Sequence, residues 1–199
     1  MDITVPRQHI RRNRSEARPR MALYWAYGSN LSIDRMIRRC RQAEPVRGLY
    51  LNHARLVFRG VADITIAPRS EAAGGLWRIT RDCEQSLDSF EGVSTKIYLK
   101  RFFTVSIDGE DEEVLFYQMS ATRGIMPPSE EYLRTIETGY DDFGLDKAYI
   151  DEALGHSWSQ TELTVAMRRR HDRQGRPRLA RPIESFVLAE SDLREAGAI

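Results

Sequence analysis

Lysine is scarce in this chain. Of its 30 basic residues only Lys96, Lys100 and Lys147 are lysine, and the rest are arginine. Cysteine is nearly absent too: Cys40 and Cys83 stand alone, with no CxxC and no Cys/His spacing. That excludes a disulfide framework and a zinc site from the sequence signals, and both residues read as buried, reduced thiols. The four histidines (His9, His53, His156 and His171) are scattered and suggest neither a metal site nor a Ser-His arrangement. No apolar run of about 18 residues exists, so no membrane-spanning helix is expected. The first 20 residues are arginine-rich without an apolar centre, which is unlike a secretory signal. A cytoplasmic setting is the default expectation.

What is present is ordinary for a globular protein. The 199 residues are 41% hydrophobic and 30% charged, with a formal net charge of +1. The length fits one domain with an appendage at each end. Arginine gathers at those ends: Arg7, Arg11, Arg12, Arg14, Arg18 and Arg20, then the run "RRRHDRQGRPRLAR" over residues 168–181. Such clusters can bind phosphate, but neither carries interleaved aromatics or a reading helix, so nucleic acid is not favoured as a partner. The organisation expected is a basic, disordered extension over residues 1–20, a compact domain over 21–155 and an arginine-rich extension over 156–199. Met21 is a second candidate start.

Within the domain the elements are mixed. Residues 23–27 read as a buried strand. Ser32 or Asp34 can cap a helix whose apolar face is Ile33, Met36, Ile37 and Cys40. Strands are expected over 49–58, 64–67 and 75–79, and a short helix over 82–90, ended near Gly92. Two β-rich runs, 97–107 and 113–119, flank "DGEDE" as a hairpin. Ser129 caps a further helix, with Glu130 and Glu131 in its first turn, and Asp146 caps another through residue 154. The class is α+β, with a small mixed β-barrel flanked by helices as the expected architecture.

Two stretches carry chemistry. The first is "YGSN", Tyr27 to Asn30, where a buried strand gives way to a small polar turn and then a helix. Backbone N–H groups there converge beside a helix start, a cradle for a carboxylate or a developing oxyanion. Gly28 permits close approach or a positive φ, and Ser29 and Asn30 add donors. Neither GxxxxGK[ST] nor GxGxxG is present, so nucleotide-binding loops have no support. The second is "SLDSFEGV", residues 86–93. Glu91 falls at the end of a helix, where the dipole disfavours a negative charge, and Asp88 lies three residues earlier as a like charge. Both effects, and burial, would raise the Glu91 pKa toward what a general base near neutrality needs.

Taken together, Tyr27-Gly28-Ser29-Asn30-Leu31, then Leu87-Asp88-x-x-Glu91-Gly92-Val93 and Tyr98, then Pro128-Ser129-x-x-Tyr132 and Gly144-Leu145, resemble the γ-glutamylcyclotransferase family, including its AIG2-like branch. The likeness spans roughly residues 22–154, and Asn30 argues against the glutathione-specific branch, which tends to carry YGSL. The resemblance implies a reaction without metal or organic cofactor. In it, the α-amine of a γ-glutamyl group attacks its own γ-carbonyl, giving 5-oxoproline and a released amine or amino acid. It assigns Glu91 as the base and then the acid, and Tyr24, Trp25, Ala26, Tyr27, Gly28, Ser29, Asn30, Tyr98 and Tyr132 as substrate contacts; Tyr117 can also wall the pocket. Trp25 departs from the smaller aromatics usual at its position. An α-amino group titrates near 7.7–8.0 and an ordinary Glu near 4.3, a gap of about 3.5 units or ~5 kcal/mol that a raised Glu91 pKa narrows. The partner expected is a small γ-glutamyl substrate, with no membrane, and a homodimer is allowed. Other readings are a pathway-specific γ-glutamyl deprotecting enzyme, and a catalytically silent member binding a small anion or a protein partner.

Overall fold

The computed structural model describes residues 21–107, 109–120 and 124–174. The expectation for residues 1–20 and the tail beyond 174 lies outside them. Five strands form one sheet in the order β2-β3-β1-β5-β4. β1 (Ala22–Ala26) is its middle strand and is buried on both faces, as its unbroken apolar run requires. It pairs antiparallel with β3, Ala22 opposite Ile79 and Ala26 opposite Gly75, and parallel with β5 at Leu23 and Tyr24.

β2 (Glu44–Phe58) and β3 (Ala62–Ile79) make one long antiparallel hairpin. The strands expected over 64–67 and 75–79 are the two ends of β3. Between them Gly74 and Gly75 pair with Leu49 and Gly48 of β2, whereas residues 67–70, with Pro68 and Ser70, have no β2 partner and stand at the register shift between Asn52 and Ala54. β4 (Tyr98–Ile107) and β5 (Glu110–Met119) form the second hairpin, turning at Gly109, whose φ is 88°. The α+β class and the flanking helices agree with the sequence. The ladder itself stays open, with β2 and β4 as outer strands.

The helices begin where polar caps predict. In α1 (Ile33–Arg39) the Ser32 hydroxyl accepts from the Arg35 N–H at 3.4 Å. Met36 and Cys40 face inward, whereas Ile37 is 42% exposed and leaves the expected apolar face. Thr80 caps α2 (Arg81–Phe90) through the Cys83 N–H at 3.2 Å, and α2 buries Cys83 and Leu87. Ser129 caps α3 (Glu130–Asp142) through the Tyr132 N–H at 3.2 Å. α4 (Ala148–Gln174) starts with the Ala148 N–H on the Asp146 carboxylate at 2.9 Å and runs well past the expected end at residue 154. Ser157 is fully buried within it, its hydroxyl donating to the Ala153 carbonyl. No helix among the described residues is long and apolar enough to cross a membrane.

One expectation is overturned. Cys40 and Cys83 are not separate thiols: they form a disulfide, with Cα atoms 5.1 Å apart. Their separation of 43 residues gives no hint of this, because the contact arises only when the end of α1 meets the first turn of α2.

Candidate active site

The polar turn after β1 is a single 3-10 turn, Ser29–Leu31, closed by the Leu31 N–H on the Gly28 carbonyl at 2.9 Å. Gly28 has φ −113°, so its glycine serves space and not a left-handed backbone. A Cβ there would lie 3.2 Å from both the Ala62 Cβ and the Tyr132 hydroxyl. Packing of α3 fixes the turn from behind: Gly139 sits so close to Leu31 that a Cβ would overlap it.

Glu91 reaches the same place from the other half of the chain. It is the residue that ends α2, its N–H bonded to the Leu87 carbonyl at 2.8 Å, and Gly92 after it is left-handed at φ 65°. Its carboxylate points at Asn30, whose amide nitrogen donates to Glu91 Oε1 at 3.2 Å and to the Tyr24 hydroxyl at 2.9 Å. The orientation of that buried amide follows from its third neighbour. Arg39 Nη1 donates to Asn30 Oδ1 at 2.6 Å, and a guanidinium can only donate, so the NH₂ group must face Glu91. Arg39 Nη1 also lies 3.6 Å from Glu91 Oε1, both side chains being 17% exposed.

Tyr24, Tyr27, Gly28, Ser29, Asn30, Glu91, Tyr98, Tyr117 and Tyr132 line one cavity of about 290 Å³. Thus the structure gathers most residues that the sequence singles out. Trp25 and Ala26 do not line it. Trp25 is fully buried in the core, with its indole N–H on the Leu49 carbonyl at 3.1 Å and its ring against Phe103 and Phe116. For Trp25 the strand alternation explains this, since it points to the face opposite Tyr24; Ala26 shares the parity of Tyr24 but is buried and carries only a methyl group. Opposite Trp25, Gly74 leaves the room the large indole occupies.

The tyrosines are held by backbone. The Tyr27 hydroxyl donates to the Tyr117 carbonyl, and the Tyr98 hydroxyl to the Ala62 carbonyl at 3.3 Å. The Tyr132 oxygen accepts from the Ala62 N–H at 3.1 Å and bonds the Ser29 backbone. Burial raises the pKa of Tyr24, Tyr27, Tyr98, Tyr117 and Tyr132, so all five remain neutral phenols.

Burial also raises the Glu91 carboxyl above its ordinary value of 4.5, while the Arg39 charge, the Asn30 hydrogen bond and the Arg35 charge pull it back. Asp88, expected to add to the rise, is turned elsewhere: it accepts from the Tyr117 hydroxyl at 2.7 Å and pairs with Lys100 at 2.8 Å. Arg35, Arg39 and Phe90 complete the wall and were not singled out from the sequence. The i, i+4 spacing of Arg35 and Arg39, on the helix that opens straight after the turn, was the available signal. Among the described residues no group of three or more His, Cys, Asp or Glu side chains gathers.

This arrangement places one partly neutralised carboxylate over a donor-rich strand end, in an α+β protein of AIG2-like type; the AIG2-like family model matches residues 71–153. γ-Glutamylcyclotransferase from Bos taurus is 31% identical over 140 residues, covering 64% of this chain and 74% of that protein. The Mus musculus protein of the same name is 31% identical over 143 residues, covering 65% and 76%. The chain belongs to the AIG2-like γ-glutamylcyclotransferase family. Among solved structures, a γ-glutamyl cyclotransferase superposes with a TM-score of 0.59 at 21% identity, over 89% of this chain and 99% of the other. YkqA from Bacillus subtilis gives 0.59 at 23% identity, over 70% of this chain and 55% of its own. At those identities the two structures speak for the fold.

Proposed function

We propose that the protein cyclises a γ-glutamyl group to 5-oxoproline and releases the attached amine or amino acid. The observation that carries this reading is the Glu91 carboxylate, raised in pKa and facing the Gly28–Asn30 turn across one pocket. The names of the curated relatives support it.

In the reaction the α-amino nitrogen forms a bond to the γ-carbonyl carbon of the same molecule. Glu91 takes a proton from that nitrogen, and the carbonyl oxygen gains the electron pair. The tetrahedral centre then collapses, the bond to the leaving nitrogen breaks, and Glu91 returns its proton to that nitrogen. No proton is gained or lost overall. Ring closure within one molecule leaves the enzyme chiefly a positioning task. The Tyr24 and Tyr132 hydroxyls, which accept from Asn30 and from the Ala62 N–H and keep a proton to donate, and the strand-end backbone are suited to the substrate carboxylate and the transient oxyanion. Asn30 keeps the base aimed, and Arg39 steadies its ionised form without sequestering it in a tight bidentate pair.

Incubation of the purified protein with γ-glutamyl-alanine, followed by chromatography for 5-oxoproline and free alanine in equal amounts, tests the reading. Stoichiometric release supports it. Absence of release from alanine, glutamate and simple amine conjugates alike would sink it and leave the silent binding protein.

A further inference from the structure

Arg35 and Arg39 line two spaces at once. One is the pocket around Glu91. The other is a groove between α1 and α3 of about 550 Å³, on which Arg38 and Arg134 also stand. Four guanidinium groups therefore face one trough, against the carboxylates of Asp34 and Glu131. Arg39 is committed to Asn30 at 2.6 Å and to Glu91 at 3.6 Å, so the positive excess in the trough comes from Arg35, Arg38 and Arg134. Arg38 spends its Nε on the Asp34 backbone carbonyl at 3.2 Å, and Arg134 meets Glu130 only at 3.6 Å in an exposed pair. Burial first, and then the like charge of Arg35, opposes protonation of Arg39, while Glu91 favours it. A trough with such an excess of one sign favours an anion of matching shape, and arginine is the side chain suited to carboxylate groups.

Arg35 and Arg39 are common to the walls of both spaces, so the trough adjoins the pocket and lies on a side toward which a leaving group could extend. It is also the larger space, about 550 Å³ against about 290 Å³. A single carboxylate would engage one of these arginines, and a second carboxylate could reach another. We infer that the α1–α3 groove is the leaving-group subsite, and that the preferred substrates are γ-glutamyl compounds whose leaving group carries two or more negative charges. A dicarboxylic amino acid or a short acidic peptide has the required chemistry. The inference rests on the proposed cyclisation, and it adds what that reading leaves open, the nature of the group released.

The test compares γ-glutamyl-ethylamide, γ-glutamyl-alanine and γ-glutamyl-glutamate, whose leaving groups carry none, one and two carboxylates. At low ionic strength kcat/KM should climb along that series by about tenfold or more. In a double variant, Arg38→Gln with Arg134→Gln, the ratio of γ-glutamyl-glutamate to γ-glutamyl-ethylamide should collapse toward unity, and 0.5 M salt should do the same to the native protein at about that level of screening. Arg47→Gln, an exposed arginine of β2 outside the groove, should leave the ratio as it was. A flat series in an active enzyme overturns the inference while the cyclisation stands. Calorimetric binding of γ-glutamyl-glutamate decides the groove even without turnover. Binding that is weakened about tenfold in the double variant supports it, and equal binding overturns it.

Discussion

The amide nitrogen of Asn30 lies 3.2 Å from the carboxylate of Glu91, although 61 positions separate them in the chain. One residue belongs to the turn after the middle strand and the other to the last position of a helix. Their meeting turns two unremarkable local motifs into one pocket, with the carboxylate proposed as the base on one wall and donors on the other.

Replacing that base is the most direct check. Glu91→Gln keeps the hydrogen bond to Asn30 and the shape of the pocket but cannot accept a proton. Steady-state assays should show kcat lower by about 10²–10⁴-fold, the usual worth of a positioned general base, with an unchanged far-UV circular dichroism spectrum. Activity within twofold of native, a threshold of about 0.4 kcal/mol, would assign the proton transfer to another group.

The same substitution has a consequence for stability, with a definite sign. Burial raises the Glu91 pKa in the folded state, so the folded protein holds this proton more tightly than the unfolded chain. Below the ordinary value of 4.5 both states are protonated and nothing is lost. As pH climbs from there through the raised value, ionisation costs the folded state stability, and the cost is complete above it. Glu91→Gln should therefore melt higher than native at pH 7 and at the same temperature near pH 3 (about a unit below an ordinary carboxylate). Melting curves at the two pH values decide it.

Arg39 lowers the pKa of Glu91 by its charge. Arg39→Met keeps much of the side-chain bulk and removes that charge. The acid limb of the kcat/KM profile should then move to higher pH, because the base is harder to ionise. A limb that stays in place would mean that Glu91 is not the group titrating there.

Gly139 carries a structural test of the turn. An added Cβ would meet the Leu31 side chain and, at 2.7 Å, the Ser32 backbone nitrogen, neither of which can swing aside. Gly139→Ala should cost about 1–3 kcal/mol by overpacking and lower kcat/KM as well, since the displaced atoms belong to the turn at the proposed site. Denaturant titration beside the kinetic assay separates the two effects.

The disulfide ties the helix that carries Arg39 to the helix that ends in Glu91. Closing a loop of this size stabilises by up to about 4 kcal/mol in the chain-entropy account. Melting with and without reductant should show a lower midpoint for the reduced protein, and no difference would mean the bond adds nothing.

Much of this fold was legible because its signals are local. Ser32, Ser129 and Asp146 cap helices that begin where they indicate, and the buried run before Gly28 is a strand. What escaped depends on contacts between distant parts. β3 runs through Gly74 because Leu49 of β2 pairs with it, and its ladder resumes after the unpaired residues 67–70 where Glu71 meets Asn52; no short window of sequence contains those partners. Asp88 is close to Glu91 in sequence yet belongs to Lys100 and Tyr117, which come from β4 and β5. Trp25 was counted with the substrate contacts because it sits in the right stretch, but the two-residue alternation of a strand turns it into the core. Glu91 itself was found through its company, since helix-ending glutamates are common. Arg39 was missed because its role exists only once α1 and α2 are side by side.

The middle position of β1 has a bearing on how the site comes into being. Its neighbours are residues 75–79 on one side and 114–115 on the other, so the strand has no settled place until two far segments have arrived. Pairings of that range close large loops before they return stabilisation, and they slow folding. The turn that lines the proposed site thus has its strand fixed only once both pairings have formed. Damage to either hairpin should reach the site, because β1 takes one neighbour from each.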